Sequence, residues 1–169
     1  MEKEIVNRVS QSKLITFDLE DHYPEGERIL FDIKDWLYEG FILKEAEFRN
    51  LAKEHSWEKY QDTYVALHCS SDAIIPAWAF MLITTYLTPF AKRIVVGDLE
   101  QLEVAVYQKI IESLDLSTLK DQLIIIKGCA NKPIPQNAYI LLIEKLQPIA
   151  KSLMYGEACS SVPLFKRKK

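Results

Sequence analysis

Apolar and polar residues alternate over residues 14–20, with Ile15, Phe17 and Leu19 on one side of the pattern. A period of two predicts a half-buried strand. The turn formers Pro24 and Gly26 follow, and a second apolar stretch from Ile29 to Trp36 predicts a hairpin partner for the first strand. A short third strand is expected just after Gly40, so residues 1–45 read as a β-rich N-terminal portion. Over residues 44–55 the spacing of Phe48, Leu51 and Ala52 among charged residues predicts a surface helix ending at His55.

The pattern then changes. Continuous apolar runs at 63–69, 92–98, 121–129 and 152–159 read as strands. They alternate with helical segments at 76–90, 99–114 and 136–151, the second carrying Leu99, Leu102, Val106 and Ile110 on one stripe. Unbroken β-branched runs between helices predict an α/β fold: a mostly parallel sheet with helices on both faces, entered through the N-terminal hairpin. Residues 1–169 are expected to form a single domain, with the basic end 164–169 frayed in solvent. An echo of strand, cysteine, small polar residues and proline recurs along the chain, but it is too short to be read as a structural repeat.

Composition narrows the function classes. Hydrophobic residues make up 49% and charged residues 27%, with a net charge of −3, which gives no basis for nucleic-acid binding. The charged N-terminus is no signal peptide. The longest apolar stretch, 73–90, is interrupted by Pro76, Pro89, Thr84, Thr85 and Thr88, so it reads as a buried helix and not a membrane span. A cytoplasmic location is the expectation, and there cysteines serve as packing, ligands or nucleophiles more often than as disulfides.

Only three cysteines are present, and each lies at or just past the end of an expected strand: Cys69 in LHCSSD, Cys129 in KGCANKP and Cys159 in GEACSSVP. Parallel strands end on one edge of a sheet, where ligand sites form. Three thiols and Asp98, at the end of the remaining strand, are thus expected to share a rim, with His68 beside Cys69. Such a set suits a metal: zinc or an iron–sulfur cluster, with Asp98 or His68 as a fourth ligand to the three thiolates. It also suits a reactive thiol, Cys69 first among the three, activated at a helix N-terminus and resolved by another cysteine. Against both stands plain packing, because free cysteine is among the most buried residue types.

Other candidates carry less. Asp18, Glu20, Asp21, His22, Glu25 and Glu27 are compatible with a divalent cation but also with a solvated turn. Trp36, Trp57 and Trp78 lack interleaved basic residues and read as core or interface. With only five glycines, the chain has no phosphate-binding loop and no serine elbow.

The segments EIVNRVSQSKLITFDLEDHYPEGERILFDIKDWLYEGFILKE, HCSSDAIIPAWAFMLITTYLTPFAK, GDLEQLE, KGCANKPIP and MYGEACSSVPLFK together resemble the bacterial family called domain of unknown function 2480, across essentially the whole chain. That family has no established activity. Its genes are associated with those of iron–sulfur cluster assembly, so the resemblance implies protein partners in that process. The leading expectation is an accessory metal or iron–sulfur protein using Cys69, Cys129 and Cys159. The alternatives are a cysteine-based sulfur carrier or thiol-exchange protein, and a scaffold presenting Trp36, Tyr38, Trp57, Tyr60 and Leu164-Phe165 to a partner.

Overall fold

The computed structural model describes residues 14–128, 131–157 and 160–168. They form a mixed α/β structure of mostly parallel strands alternating with helices. The chain gathers into two compact units, residues 24–106 and residues 1–23 with 107–169. The α/β class and the parallel character match the sequence pattern. Two sheets form in place of one.

In the unit of residues 24–106, β2 (Arg28–Asp32), β3 (Tyr64–His68) and β4 (Arg93–Val96) make a parallel sheet in the order β2-β3-β4. Helices α1 (Glu45–Glu54) and α2 (Ala77–Leu87) make the crossovers. Phe48 and Ala52 of α1 and Ala79, Ile83 and Leu87 of α2 pack with Phe31, Val65 and Leu67 in one core. Both helices therefore cover the same sheet face, as crossovers of one hand between neighbouring strands require. On the other face Arg28 reaches Glu103 in the first turns of α3 (Leu99–Ser113), at 2.7 Å and almost out of solvent. This unit thus carries helix on both faces.

The unit of residues 1–23 and 107–169 repeats the plan. Its sheet runs β1-β5-β6-β7, from β1 (Leu14–Phe17), β5 (Leu123–Ile126), β6 (Ser152–Glu157) and β7 (Ser160–Lys166). The later turns of α3 supply Tyr107 and Ile111, and α4 (Gln136–Leu146) supplies Ala138, Leu142 and Leu146, to a core with Ile124, Ile126 and Leu153. The Tyr107 hydroxyl donates to the Leu19 carbonyl at 3.1 Å.

The two units match position by position, at one constant spacing along the chain. Asp62 and Asp121 both adopt left-handed backbone, with φ of 60° and 58°. Their amides donate to Phe90 and Ile149 carbonyls, each at 2.9 Å. Pro76 and Pro135 stand at the caps of α2 and α4, where their missing N–H costs no helical bond. Gly97 and Gly156, with φ of 142° and 117°, follow at the strand ends. Buried Ala79, Ile83 and Leu87 answer to Ala138, Leu142 and Leu146. The echo in the sequence is therefore part of a full structural repeat. It is written in the sequence as well: Pro76 and Pro135, Ala79 and Ala138, Leu87 and Leu146, and Pro89 and Pro148 are identical at that spacing, while Phe48 and Tyr107 share only size and aromatic character.

Three local expectations are corrected. First, β1 and β2 do not pair: β1 lies parallel to β5, and β2 parallel to β3. The physical cause is Asp18, whose side chain accepts from the Glu20 amide at 2.9 Å and turns the chain into a short 3-10 helix (Leu19–His22). Asp32 does the same to Lys34 at 2.9 Å, ending β2 before Lys34–Trp36. Second, the strand expected after Gly40 is a single bridge between Tyr38 and Ile42. Third, the basic end of the chain is strand as far as Lys166, and the Arg167 guanidinium pairs with Asp121. β7 escaped the sequence pattern because most of its residues stay exposed, so no alternation marks it.

The tryptophans belong to an aromatic core. Phe31 stacks on Trp57 at 5.8 Å and meets Trp36 edge-on at 5.3 Å. His55 closes the C-terminus of α1 through its backbone, while its ring Nε2 lies 3.0 Å from the Tyr60 hydroxyl. Burial, aided by Lys59, holds the imidazole below its usual 6.5, and burial pushes Tyr60 up to about 12. Trp57 and Tyr60 are buried, so they are unavailable as a partner surface.

Equivalent core positions should respond alike. Ile83→Ala and Leu142→Ala are each expected to cost about 2–5 kcal/mol, read by urea unfolding. A full loss at one with none at the other would contradict the repeat.

Candidate functional site

All strands of a parallel sheet end on one edge. In the unit of residues 24–106 this edge holds Asp32, His68, Cys69, Ser70 and Ser71. Asp32 Oδ1 accepts from the Ser70 amide at 3.1 Å as well as from Lys34, and so clamps the β3 exit to the end of β2. Burial alone would raise the Asp32 pKa, but the bonds from Ser70 and Lys34 and the nearby His68 outweigh it and hold the carboxyl below its usual value. The Cys69 thiol is free and half-buried against the core, with Sγ 3.3 Å from Ser71 Oγ. Asp98 is occupied as a helix cap: its Oδ1 accepts from the Gln101 amide at 2.8 Å, and Gln101 Oε1 accepts from the Asp98 amide at 2.9 Å.

The second unit has a comparable edge. Asp18 at the end of β1 meets Lys127, just past β5, at 2.5 Å. Burial raises the Asp18 pKa, but Lys127, the Glu20 amide and His22 outweigh it, and the net shift is downward. Lys127 is correspondingly raised, first by its bond to Asp18 and further by the charges of Asp18, Glu20 and Glu157. Glu20 Oε1 accepts from the Asn131 and Lys132 amides, the latter at 2.7 Å, and so ties down the loop after β5. The Tyr155 hydroxyl donates to the Gly128 carbonyl at 3.4 Å across the β5–β6 pair.

The model of one protein family, described as "Protein of unknown function (DUF2480)", matches residues 3–167 of this chain. The chain belongs to that family. No curated protein and no solved structure matches it. The DUF2480 assignment therefore settles kinship and leaves chemistry to the geometry.

In this DUF2480 chain the expected rim of three cysteines on one sheet does not form as such. β3, which precedes Cys69, belongs to a different sheet from β5 and β6, whose ends precede Cys129 and Cys159. Cys129 and Cys159 lie outside the described residues. Among the described residues no group of three His, Cys, Asp or Glu side chains is placed to hold a metal ion, so His68, Cys69 and Asp98 do not make one together. The repeat sets Gly128 at the position matching Cys69, so the thiol at the end of β3 has no counterpart there. Sequence reasoning missed Asp32 and Lys127, and named Asp18 only within a possible cation-binding turn. One signal was present: Phe17-Asp18-Leu19 and Phe31-Asp32-Ile33 are the same aromatic–aspartate–aliphatic exit from a strand. Among the described residues no helix is long and apolar enough to cross a membrane.

The two lowered aspartates fix an acid response. Their folded pKa values lie below the ordinary value of 3.8, so the stability they contribute is present above that value and is lost as pH falls through the folded pKa. Asp18→Asn is expected to lower stability at neutral pH and to flatten the decline below pH 4, measured by urea midpoints against pH. An unchanged acid limb would show that Asp18 contributes nothing to it.

Proposed function

We propose that the chain is a thiol-exchange protein in which Cys129 and Cys159 act as a pair. The observation that carries this reading is the placement of their described neighbours. Gly128 follows β5 and Glu157 ends β6, two neighbouring parallel strands of one sheet that leave at the same edge. Glu157 also pairs with Ser160, so Ala158 and Cys159 are bounded on both sides by described positions. Lys127 stands two residues before Cys129 in the sequence, a cation of the kind that favours a thiolate when it lies close.

The chemistry needs a partner disulfide. One thiolate attacks a sulfur of that disulfide, the S–S bond breaks, and the partner's other sulfur leaves as a thiolate. The second cysteine then attacks the mixed disulfide and releases the partner fully reduced, while this chain's dithiol becomes a disulfide. Partners are proteins bearing such disulfides or persulfides, in keeping with a place near iron–sulfur assembly. A zinc or iron–sulfur centre on the same thiols, with Cys69 added, is the competing reading. The carboxylates at hand argue against it: Asp98 is a helix cap, Asp18 is tied to Lys127, and Glu20 holds two amides.

Mapping of alkylation rates by mass spectrometry tests the proposal, with metal content measured alongside. The expected result is one fast thiol, Cys129 or Cys159, slowed several-fold by Lys127→Met, and a mixed disulfide trapped when its partner cysteine is replaced by serine. Slow and equal alkylation of all three cysteines would sink the reading. Stoichiometric zinc or iron lost on Cys129→Ser would establish the metal site in its place.

A further inference from the structure

The repeat isolates what the cysteine-bearing unit has added to the shared plan. Where β5 leaves its sheet, the Lys127 amide still donates to the Phe17 carbonyl at 2.9 Å. Gly128 comes next. A Cβ on this residue would lie 2.9 Å from Cζ of the Tyr155 ring, so any larger residue would push the ring away. Glycine here lets an aromatic ring lie against the backbone. The Tyr155 hydroxyl donates to the Gly128 carbonyl at 3.4 Å, and Tyr139 of α4 meets the Tyr155 ring edge-on at 5.7 Å. The ring is thus held by α4 while it covers Gly128. At the matching positions of the other unit stand Cys69 and Val96, a larger residue for Gly128 and a smaller one for Tyr155. The two differences compensate in volume.

The far side of the same loop is held by the turn after β1. Glu20 Oε1 accepts from two successive amides, those of Asn131 and Lys132, the second at 2.7 Å. Bonds to a charged oxygen are stronger than bonds to a neutral one. The Lys132 ammonium also lies 5.4 Å from the centre of the Tyr23 ring, at the end of that turn. In the other unit Lys34 stands where Glu20 does, and an ammonium can only donate. There the loop after β3 bonds to itself, the Ala73 amide donating to Ser71 Oγ at 3.4 Å. Both additions therefore fall in the unit whose sequence carries Cys129 and Cys159. They fix the chain immediately before Cys129 and two residues after it.

We infer that Glu20 and Tyr155 are positioning residues for thiol exchange, bracing the loop so that Cys129 meets Cys159. This rests on the reading of those two cysteines as a working pair. The effect falls on one step. Attack on a partner's disulfide needs an accessible thiolate and nothing more from this chain. The second step joins two groups of the same chain, and it gains in proportion to how well they are held. Loss of either brace lowers the effective concentration of Cys129 at Cys159 and leaves the first attack as it was.

Equilibration of the full chain with graded mixtures of reduced and oxidised glutathione tests the inference, with hydrogen exchange at Asn131 and Lys132 on the same samples. The two thiols reduce one oxidised glutathione to two reduced molecules and become one intrachain disulfide. The equilibrium constant therefore reads their effective concentration. Glu20→Ala is expected to shift that constant about tenfold toward the dithiol. The two amides should lose protection, while the alkylation rates of the reduced thiols stay unchanged. Glu20→Gln keeps an acceptor oxygen and should remain within about twofold of the wild type. Tyr155→Val, which copies the other unit, should move the constant in the same direction as Glu20→Ala. A wild-type disulfide unmoved by both Glu20→Ala and Tyr155→Val overturns this inference and leaves the paired-cysteine reading standing. A wild-type chain that forms no Cys129–Cys159 disulfide at any ratio removes that reading, and this inference with it.

Discussion

The central strand of each sheet sets the terms for the rest. β3 and β5 are short runs in which nearly every side chain is buried on one face or the other, including Val65, Ala66, Leu67, Ile124, Ile125 and Ile126. A strand of that kind needs neighbours along both edges and cover on both faces, because exposed backbone polar groups and exposed aliphatic surface are each costly. The parallel neighbours β2 and β4, and β1 and β6, answer the first need. Helices joined by crossovers of one hand answer the second, and they place all strand exits on one edge of each sheet.

At those exits a single device recurs. Asp18 and Asp32 each end a side strand, bond an amide two residues on, and reach across toward the end of the central strand: Asp18 to Lys127 and Asp32 to the Ser70 amide. A charged acceptor serves here because its bonds are stronger than neutral ones and because it can take several donors at once. The strand exits are thereby stiffened where chemistry-bearing residues cluster: Cys69 and His68 on one edge, and Lys127 with the sequence neighbours of Cys129 and Cys159 on the other. A nucleophile or ligand benefits from supports that do not move.

The repeat also shows where the halves diverge. Among the described residues one unit extends its sheet with β7, while in the other β4 pairs only with β3. Both second helices expose an apolar residue at the same place, Met81 and Ile140. The difference lies in side chains and one added strand, not in the core, since the buried positions of α2 and α4 remain matched in size.

Read alone, the sequence determined the class of fold, the four helices apart from the C-terminal ends of α2 and α4, which stop earlier at Leu87 and Leu146, and the parallel runs, because these depend on local periodicity and on unbroken apolar stretches. It also held the evidence that Cys69, Cys129 and Cys159 follow strands. Only the tertiary structure decided which strands are neighbours. Pairing depends on long-range packing, so the first strand joins β5 across most of the chain while the expected hairpin is broken locally by the Asp18 turn. The single sheet that was expected to carry all three cysteines divides for the same reason: sheet order separates β3, which leads to Cys69, from β5 and β6, which lead to Cys129 and Cys159. The duplication was legible at one constant spacing, in identical pairs such as Pro76 and Pro135 or Leu87 and Leu146, but the tertiary structure was needed to show that pairs differing in identity, such as Ile83 and Leu142, hold the same place in two cores.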